Sequence, residues 1–442
     1  MGGPLSSSEG RPLWQGRALA LIGIVLVAFS LRSAVASLSP VIDHISRDFP
    51  VSPVIVGLIG AAPPVCFAVF GLVTPLVERR LGLERVAVGA LALMSLGLLL
   101  RGFAGDSTSL LAATVVVFAG VGAGNVLLPP LVKKYFPDRL GVMMTLYSTM
   151  MAVSTFVPPL VAVPVADSLG WRVSLGLWGG FAVLALLPWI ALLIGERGRV
   201  ATASAPAADV VLDPTDGVDD LTDAAAVATG PIATVPASPR VFGRLWRMPL
   251  PWALALVFGT SSTMAYVAFA WLPTMLVDIA GVTPATAGFL LSLFALAGLP
   301  CGLLVPILIV RFQATRPLFL FAVACGVVGL GGLLLAPTVA PALWAIIYGL
   351  TAILFPLSLV LLSIRARTPE SAVALSGFVQ SIGYGIAAVF PLLIGLLHET
   401  TGGWQVPLMV VIGVLVVSIP AGLVAGRRRT IEDEWEARHG RW

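Results

Sequence analysis

Arg32 is a charged residue inside an apolar run, Leu19 to Pro40, that is long enough to cross a bilayer. Placing a guanidinium in that environment costs roughly 2.5–3.5 kcal/mol. No other apolar run carries an acidic residue deep inside it that could pair with Arg32. An unpaired cation that faces a polar cavity suits an anionic or electron-rich ligand. The alternative is that the side chain extends outward to the lipid headgroups.

A polar stripe is predicted near the C-terminus, where Ser376, Gln380 and Tyr384 recur every four residues and so share one helix face. When the chain is shifted by 233 residues, Tyr147 takes the position of Gln380. Tyr147 and Gln380 would then occupy equivalent places around a pseudo-twofold axis. We expect these residues to line a cavity. Hydrogen bonding between helices is the alternative.

Asn125 and Tyr266 are two further polar residues within apolar runs. An amide in hydrocarbon needs a partner, so Asn125 either binds a ligand or ties helices together. Its glycine-rich string, GVGAGN, is not a nucleotide-binding loop, because it lies inside a predicted span and no strand precedes it. Tyr266 follows the hydroxyl run Thr260–Thr263 and is either a ligand contact or an anchor at the membrane interface.

The composition excludes a soluble globular protein. The chain has 442 residues, of which 58% are hydrophobic and 11% charged, with a mean hydropathy of +1.00. These values predict an all-α membrane protein in the lipid bilayer. The three cysteines and three histidines form no ligand pattern, and there is no phosphate-binding loop, so we expect no metal or cofactor, no enzymatic activity and no nucleic-acid partner.

Twelve apolar spans can be placed along the chain. Their approximate bounds are 17–39, 52–77, 84–105, 108–131, 141–166, 171–195, 250–277, 285–310, 317–336, 340–363, 371–397 and 404–426. With the N-terminus inside, 22 of the 26 basic residues fall in inner segments, and the exceptions are Arg32, Arg47, Arg101 and Arg172. Positive charge concentrates in cytoplasmic loops, so both termini are predicted to be cytoplasmic. Arg101 is interpreted as a headgroup anchor, and guiding anions inward is the alternative.

The spans divide into two six-helix halves that repeat. A shift of 233 residues aligns Pro158 with Pro391 and Trp171 with Trp404. We predict an N-terminal half at 1–195, a flexible cytoplasmic linker at 196–248, a C-terminal half at 249–426 and a cytoplasmic tail at 427–442. The linker is assigned because its Ala-, Thr-, Pro- and Asp-rich composition cannot form a core.

A charged loop, VTPLVERRLGLER, connects the second and third spans. It resembles the signature that the major facilitator superfamily carries there, although Arg79 stands where an aspartate is usual. The resemblance implies a gating role for Glu78, Arg79, Arg80 and Arg85. An ordinary positively charged cytoplasmic loop is the alternative.

Several longer strings carry a more specific resemblance. These are LRSAVASLSPVIDHISRDF, GNVLLPPLVKKYFPDR, MTLYS, WLP and LSGFVQSIGYGIAAVFPLLIGLLHETTGGW. They are similar to the cyanate permease and 2-nitroimidazole transporter family of the major facilitator superfamily. Arg32, Asn125, Tyr147, Gln380 and Tyr384 match positions characteristic of that family.

The resemblance implies a bacterial inner-membrane secondary transporter for a small anion or small polar heterocycle, with two pseudo-symmetric six-helix halves that alternate access to one site. Drug or metabolite efflux through an apolar cavity is the alternative. A monomer is expected, and protons are a candidate coupling ion. In the seventh span, Gly259-Thr260-Ser261-Ser262 replaces a glutamine-containing string that is common in the family.

The predicted topology can be tested by cysteine labelling. Cysteines introduced at Ser107 and Thr401 should react with a membrane-impermeant thiol reagent in intact cells, because both sites lie in predicted outer loops. A cysteine at Thr229, in the predicted linker, should not react. Labelling of position 229 from outside would contradict the orientation.

Overall fold

The structure is a computed structural model that describes residues 17–136, 139–200 and 243–439. Twelve helices within these ranges are long and apolar enough to cross a membrane, which confirms the predicted fold class. The helices are α1 (Ala18–Ala36), α2 (Pro53–Leu81), α3 (Leu83–Gly102), α4 (Ser107–Tyr135), α5 (Leu140–Leu169), α6 (Trp171–Val200), α7 (Pro249–Ala280), α8 (Pro284–Phe312), α9 (Thr315–Leu335), α10 (Pro341–Ile364), α11 (Pro369–Thr401) and α12 (Gln405–Ala425).

Three of the predicted spans are less regular than the sequence suggested. The first ends at Ala36, and a 3-10 turn (Ser39–Val41) and a short helix (Ile42–Asp48) follow it. Helix α10 contains a 3-10 turn at Leu350–Ile353, and α12 is interrupted at Ser418. A proline lies in or just after each irregularity, and proline cannot donate the backbone hydrogen bond that continues a helix.

The two ends of the bundle differ in charge. We call the end that carries Arg17, Arg80, Lys133, Arg311 and Arg365 the basic face, and the other end the opposite face. At the opposite face, each half contains a hydrogen bond between a tryptophan and an aspartate. The tryptophan stands at the start of α6 in the first half and at the start of α12 in the second. Trp171 Nε1 donates to Asp48 Oδ2 at 3.0 Å, and Trp404 Nε1 donates to Asp278 Oδ2 at 2.8 Å. The hydrogen bonds from Arg172 and Trp171 hold the pKa of Asp48 below its ordinary value.

A short helix that the sequence did not predict, Ile431–His439, lies within the predicted tail and packs on the basic face. Its Glu434 accepts a hydrogen bond at 3.0 Å from the Leu250 backbone N–H at the start of α7, and its Asp433 pairs with Arg367. Of the predicted linker, residues 201–242 lie outside the described residues, so its flexibility and the domain bounds stay predictions.

The two halves contact each other tightly at the opposite face. A Cβ placed on Gly395 of α11 would lie 2.5 Å from the Pro53 carbonyl oxygen at the start of α2. A Cβ on Gly57 of α2 would lie 2.8 Å from the Pro391 carbonyl oxygen. Both distances are shorter than a van der Waals contact, so only glycine allows this approach. The opposite face is therefore closed in this conformation.

Substituting Gly395 should open that face. A methyl group forced against the Pro53 backbone costs about 1–3 kcal/mol, which shifts a conformational equilibrium about fivefold or more. We therefore expect Gly395→Ala to increase the thiol reactivity of a cysteine introduced at Ile59, which is buried beneath this face. Gly385→Ala is the matched control. Gly385 lies on the same helix, and a Cβ placed on it would have no atom within 4 Å. Equal reactivity in the two variants would contradict the expectation.

Candidate functional site

A cavity of about 350 Å³ lies between the two halves, in the middle of the bundle and towards the basic face. Helices α1, α5, α7, α8, α10 and α11 all contribute to its wall, and both halves are therefore represented. The wall includes Arg32, Thr145, Ser148, Ser261, Ser262, Ala265, Tyr266, Phe294, Leu299, Phe355 and Tyr384. Most of these side chains are apolar or carry a single hydroxyl, and Arg32 is the one charged residue among the described residues of the wall.

Arg32 is half-buried and lies on the cavity wall near the end of α1. Tyr266 lies on the same wall. The guanidinium carbon lies 5.9 Å from the ring centre of Phe67, over the face of the ring, where a cation–π interaction is favourable. No acidic group bonds to Arg32 in the part of the chain that the structure describes. The charge is thus partly stabilised and keeps capacity for an anionic ligand.

Three aromatic rings hold the site together across the two halves. The Phe67 ring centre lies 6.4 Å from that of Tyr266 and 5.7 Å from that of Tyr384, with the rings edge to face in both pairs. Such pairs are favourable and fix ring orientation. Both tyrosines thereby lie on the same cavity wall as Arg32. Phe67 was missed by the sequence reasoning, since one phenylalanine in an apolar span carries no distinguishing signal.

The remaining predicted binding residues are not on this wall. The Gln380 amide donates to Ser376 Oγ at 2.7 Å, along its own helix, as the four-residue spacing allows. Tyr147 is buried, with 1% of its surface exposed, in the core of the N-terminal half. Asn125 is half-buried on α4. The structure brings together Arg32, Tyr266 and Tyr384 and leaves these three residues apart from them.

The hydroxyl groups on the wall divide into two kinds. Those of Ser148, Thr149 and Thr155 donate to backbone carbonyls one turn earlier on α5, at 2.7–2.9 Å. Their oxygens can still accept hydrogen bonds from a ligand, but their protons are used. Ser261 and Ser262 reach the wall from α7 without a hydrogen bond recorded within the described residues. The departure from the family string therefore places small hydroxyls in the cavity.

Arg101 was interpreted as a headgroup anchor, and that interpretation is wrong. Its side chain is 1% exposed and lies among α1, α3 and α4. The guanidinium donates to the Ala34 carbonyl at 2.8 Å and to Thr114 Oγ1 at 3.1 Å, and it lies over the Phe118 ring. Hydropathy alone could not distinguish these positions, since Arg101 is close to the end of its span.

The charged loop between α2 and α3 contacts α4 through Glu84, a residue that was not among the four predicted gating residues. Glu84, buried at the start of α3, pairs with Lys134 on α4 and accepts a hydrogen bond at 3.3 Å from the Tyr135 hydroxyl. Glu78 is half-buried, whereas Arg80 and Arg85 are exposed, and the Arg79 side chain lies outside what the structure describes. The acid–base pair at this loop thus involves Glu84, and the gating role of the four predicted residues stays a prediction.

Comparison with known proteins agrees with this architecture. The family model described as Major Facilitator Superfamily matches residues 24–388. The chain is 30% identical to the 2-nitroimidazole transporter of Escherichia coli (strain K12), over 94% of this chain and 98% of the relative. It is 25% identical to the cyanate transport protein CynX of the same organism, over 90% and 96%.

Among solved structures, a bacterial homologue of the human lysosomal transporter Spinster, in an inward-facing and unoccupied conformation, matches with a TM-score of 0.68 at 17% identity. The match covers 96% of this chain and 99% of that one, and it supports the fold alone. The family match, the two transporter relatives and the twelve spans lead to one conclusion. The chain belongs to the Major Facilitator Superfamily and is a multi-pass membrane transporter.

Proposed function

We propose that this protein moves a small anion or a small polar heterocycle across the inner membrane by alternating access, with its basic face in the cytoplasm. The substrate binds in the cavity between Arg32, Tyr266 and Tyr384. The opposite face, closed by Gly57 and Gly395, opens when the two halves rock about this site. The orientation follows from the concentration of basic residues at the cavity-bearing end.

The observation that carries the proposal is the isolated positive charge of Arg32. Apolar walls lower the local dielectric, so the attraction between a guanidinium and a bound acceptor is stronger there than in water. A guanidinium is also a planar fork of N–H donors, which can bind an acceptor group through two parallel hydrogen bonds. The neighbouring tyrosine hydroxyls add two more polar contacts to the same region.

The names of the two relatives are consistent with this chemistry. Cyanate is a small anion with acceptor atoms at both ends, and the nitro group of a 2-nitroimidazole carries two oxygens in one plane. Both present a compact, acceptor-rich group that suits a guanidinium fork. A shared preference for such groups explains how one cavity type could serve an anion and a neutral heterocycle.

Drug or metabolite efflux is the second candidate function. Much of the wall is apolar, as a carrier of hydrophobic substrates would require. The apolar side chains include Phe294, Leu299, Leu303 and Phe355. In that case the charge of Arg32 would contribute little to affinity. Substitution of Arg32 therefore separates the two functions.

Proton coupling is a further part of the proposal. No carboxylate lines the cavity among the described residues, so a proton is carried by the substrate itself, or the protein is a uniporter.

Asn125, Tyr147 and Gln380 act on substrate only if they reach the cavity in another conformation. Transport of cyanate, nitrite and 2-nitroimidazole in proteoliposomes, with and without a pH gradient, tests substrate class and coupling together.

The main prediction concerns Arg32. Arg32→Ala should weaken cyanate binding about 10- to 150-fold, because a hydrogen bond to a charged group contributes about 1.5–3 kcal/mol. Arg32→Lys should retain part of the affinity, since an ammonium keeps the charge and loses the fork. Gln380→Ala should have a smaller effect than either. Binding is measured by titration calorimetry on the purified full-length protein.

Arg47→Ala is the matched control, because Arg47 is an exposed arginine on the short helix at the opposite face. It should bind cyanate like the unsubstituted protein. If Arg32→Ala also binds and transports cyanate normally, the anion site is refuted, and drug or metabolite efflux becomes the better-supported function. Membrane abundance and thermal stability of each variant show whether a loss of binding follows from a loss of fold.

A further inference from the structure

Arg101 is a second cation that the proposed substrate site does not use. Its hydrogen-bond partners, the Ala34 carbonyl and Thr114 Oγ1, are neutral, and so is the Phe118 ring beneath it. These two bonds involve two of its five N–H groups. No carboxylate bonds to Arg101 in the described part of the chain. A buried guanidinium whose partners are all neutral keeps its full charge, so an anion that reaches it is attracted strongly.

A small chamber lies beside Arg101, on the side of the cavity that faces the closed end of the bundle. Its volume is about 30 Å³, which accommodates one or two water molecules. Arg101 and Phe118 form part of its wall, and Ile59 and Gly60 of α2 form another part. The chamber is therefore too small for substrate while the opposite face is closed.

Three residues separate the chamber from the main cavity. Val35, Tyr266 and Phe269 line both spaces, so they form a partition one side chain thick. Arg32 lies on the cavity side of this partition and Arg101 on the chamber side. The two cations are thus arranged in series from the closed face to the substrate site.

We propose that the chamber is a second anion-binding subsite, formed by Arg101, through which an anion passes between the opposite face and Arg32. The proposal rests on the proposed function, since it assumes that an anion is carried. When the halves separate at Gly57 and Gly395, the chamber widens and Arg101 meets the entering anion. The partition then opens and the anion moves to Arg32. A purely structural Arg101, which only ties α1 to α3 and α4, is the competing interpretation.

Two variants distinguish these interpretations. Thr114→Asp keeps Arg101 and all its donors but supplies a permanent internal anion, and Arg101→Gln removes the charge. For an anion subsite, both variants lower kcat/KM for cyanate about tenfold or more, because the attraction for the anion is lost. Equilibrium binding of cyanate at Arg32 changes less than about twofold in both. Arg47→Gln, at the exposed opposite face, is the control for general surface charge and should match the unsubstituted protein.

A structural Arg101 predicts a different pattern. Thr114→Asp would then transport cyanate normally, because a buried ion pair ties the helices at least as well as a hydroxyl. That result overturns the proposal, and so does normal cyanate transport by Arg101→Gln. If Arg101→Gln is lost from the membrane, Thr114→Asp still gives the answer. Transport of an N-alkylated 2-nitroimidazole, which has no ring N–H to ionise and stays neutral, adds a charge-specific readout, since a subsite loss spares it and a structural loss does not.

Failure of the proposed function is recognised by a separate measurement. If Arg32→Ala binds cyanate at equilibrium like the unsubstituted protein, the substrate site is wrong and the subsite falls with it. If Arg32→Ala loses binding while Thr114→Asp and Arg101→Gln transport cyanate normally, the substrate site stands and only the chamber proposal is refuted.

Discussion

Burial of positive charge in a low-dielectric interior is the constraint on which the arrangement around Arg32 depends. A guanidinium there needs water, acceptors or a polarizable ring, since none of its N–H groups can be left without compensation at low cost. The cavity between the halves can admit water, and the Phe67 ring supplies a polarizable face for the guanidinium. Each of these stabilises the charge in part, and none neutralises it. The remaining electrostatic capacity is what an anionic or acceptor-rich ligand can use.

The pseudo-symmetry of the two halves is broken at this charge. A shift of 233 residues places Ala265 opposite Arg32, and Ala265 also lies on the cavity wall. Arg101 corresponds in the same way to Leu333, at a shift of 232, and Leu333 is buried in the core of the other half. The cations at these two positions therefore have no charged counterpart in the other half, whereas the Trp–Asp pairs recur in both. The repeated Trp–Asp pairs stabilise the opposite face in both halves. The unrepeated Arg32 makes one side of the cavity positively charged, which suits a ligand bound in one orientation.

Hydropathy and basic-residue counts were enough to predict the twelve spans, because backbone groups in hydrocarbon must be satisfied within helices. The same reasoning singled out Arg32, since a charge inside an apolar run is conspicuous. It misjudged Arg101, which lies near a span end but turns inward to the Ala34 carbonyl. Phe67 and Glu84 were missed because their roles depend on which side chain the neighbouring helix brings close. Helical spacing placed Gln380 correctly with Ser376, but it could not say whether that stripe met the cavity.

Tyr266 connects the proposed binding site to the proposed route through the bundle. It lies on the cavity wall with Arg32, and it forms part of the partition between cavity and chamber together with Val35 and Phe269. Under the proposed function, a ligand bound at Arg32 shares the cavity with Tyr266, so ligand binding and the position of Tyr266 are energetically linked. Phe67 joins the linkage, because its ring packs on both tyrosines and lies on α2, the helix that meets α11 at the closed face. Under the proposed function, occupation of the cavity therefore acts on the partition and on the α2–α11 contact through the same aromatic group, which is the coupling that alternating access requires.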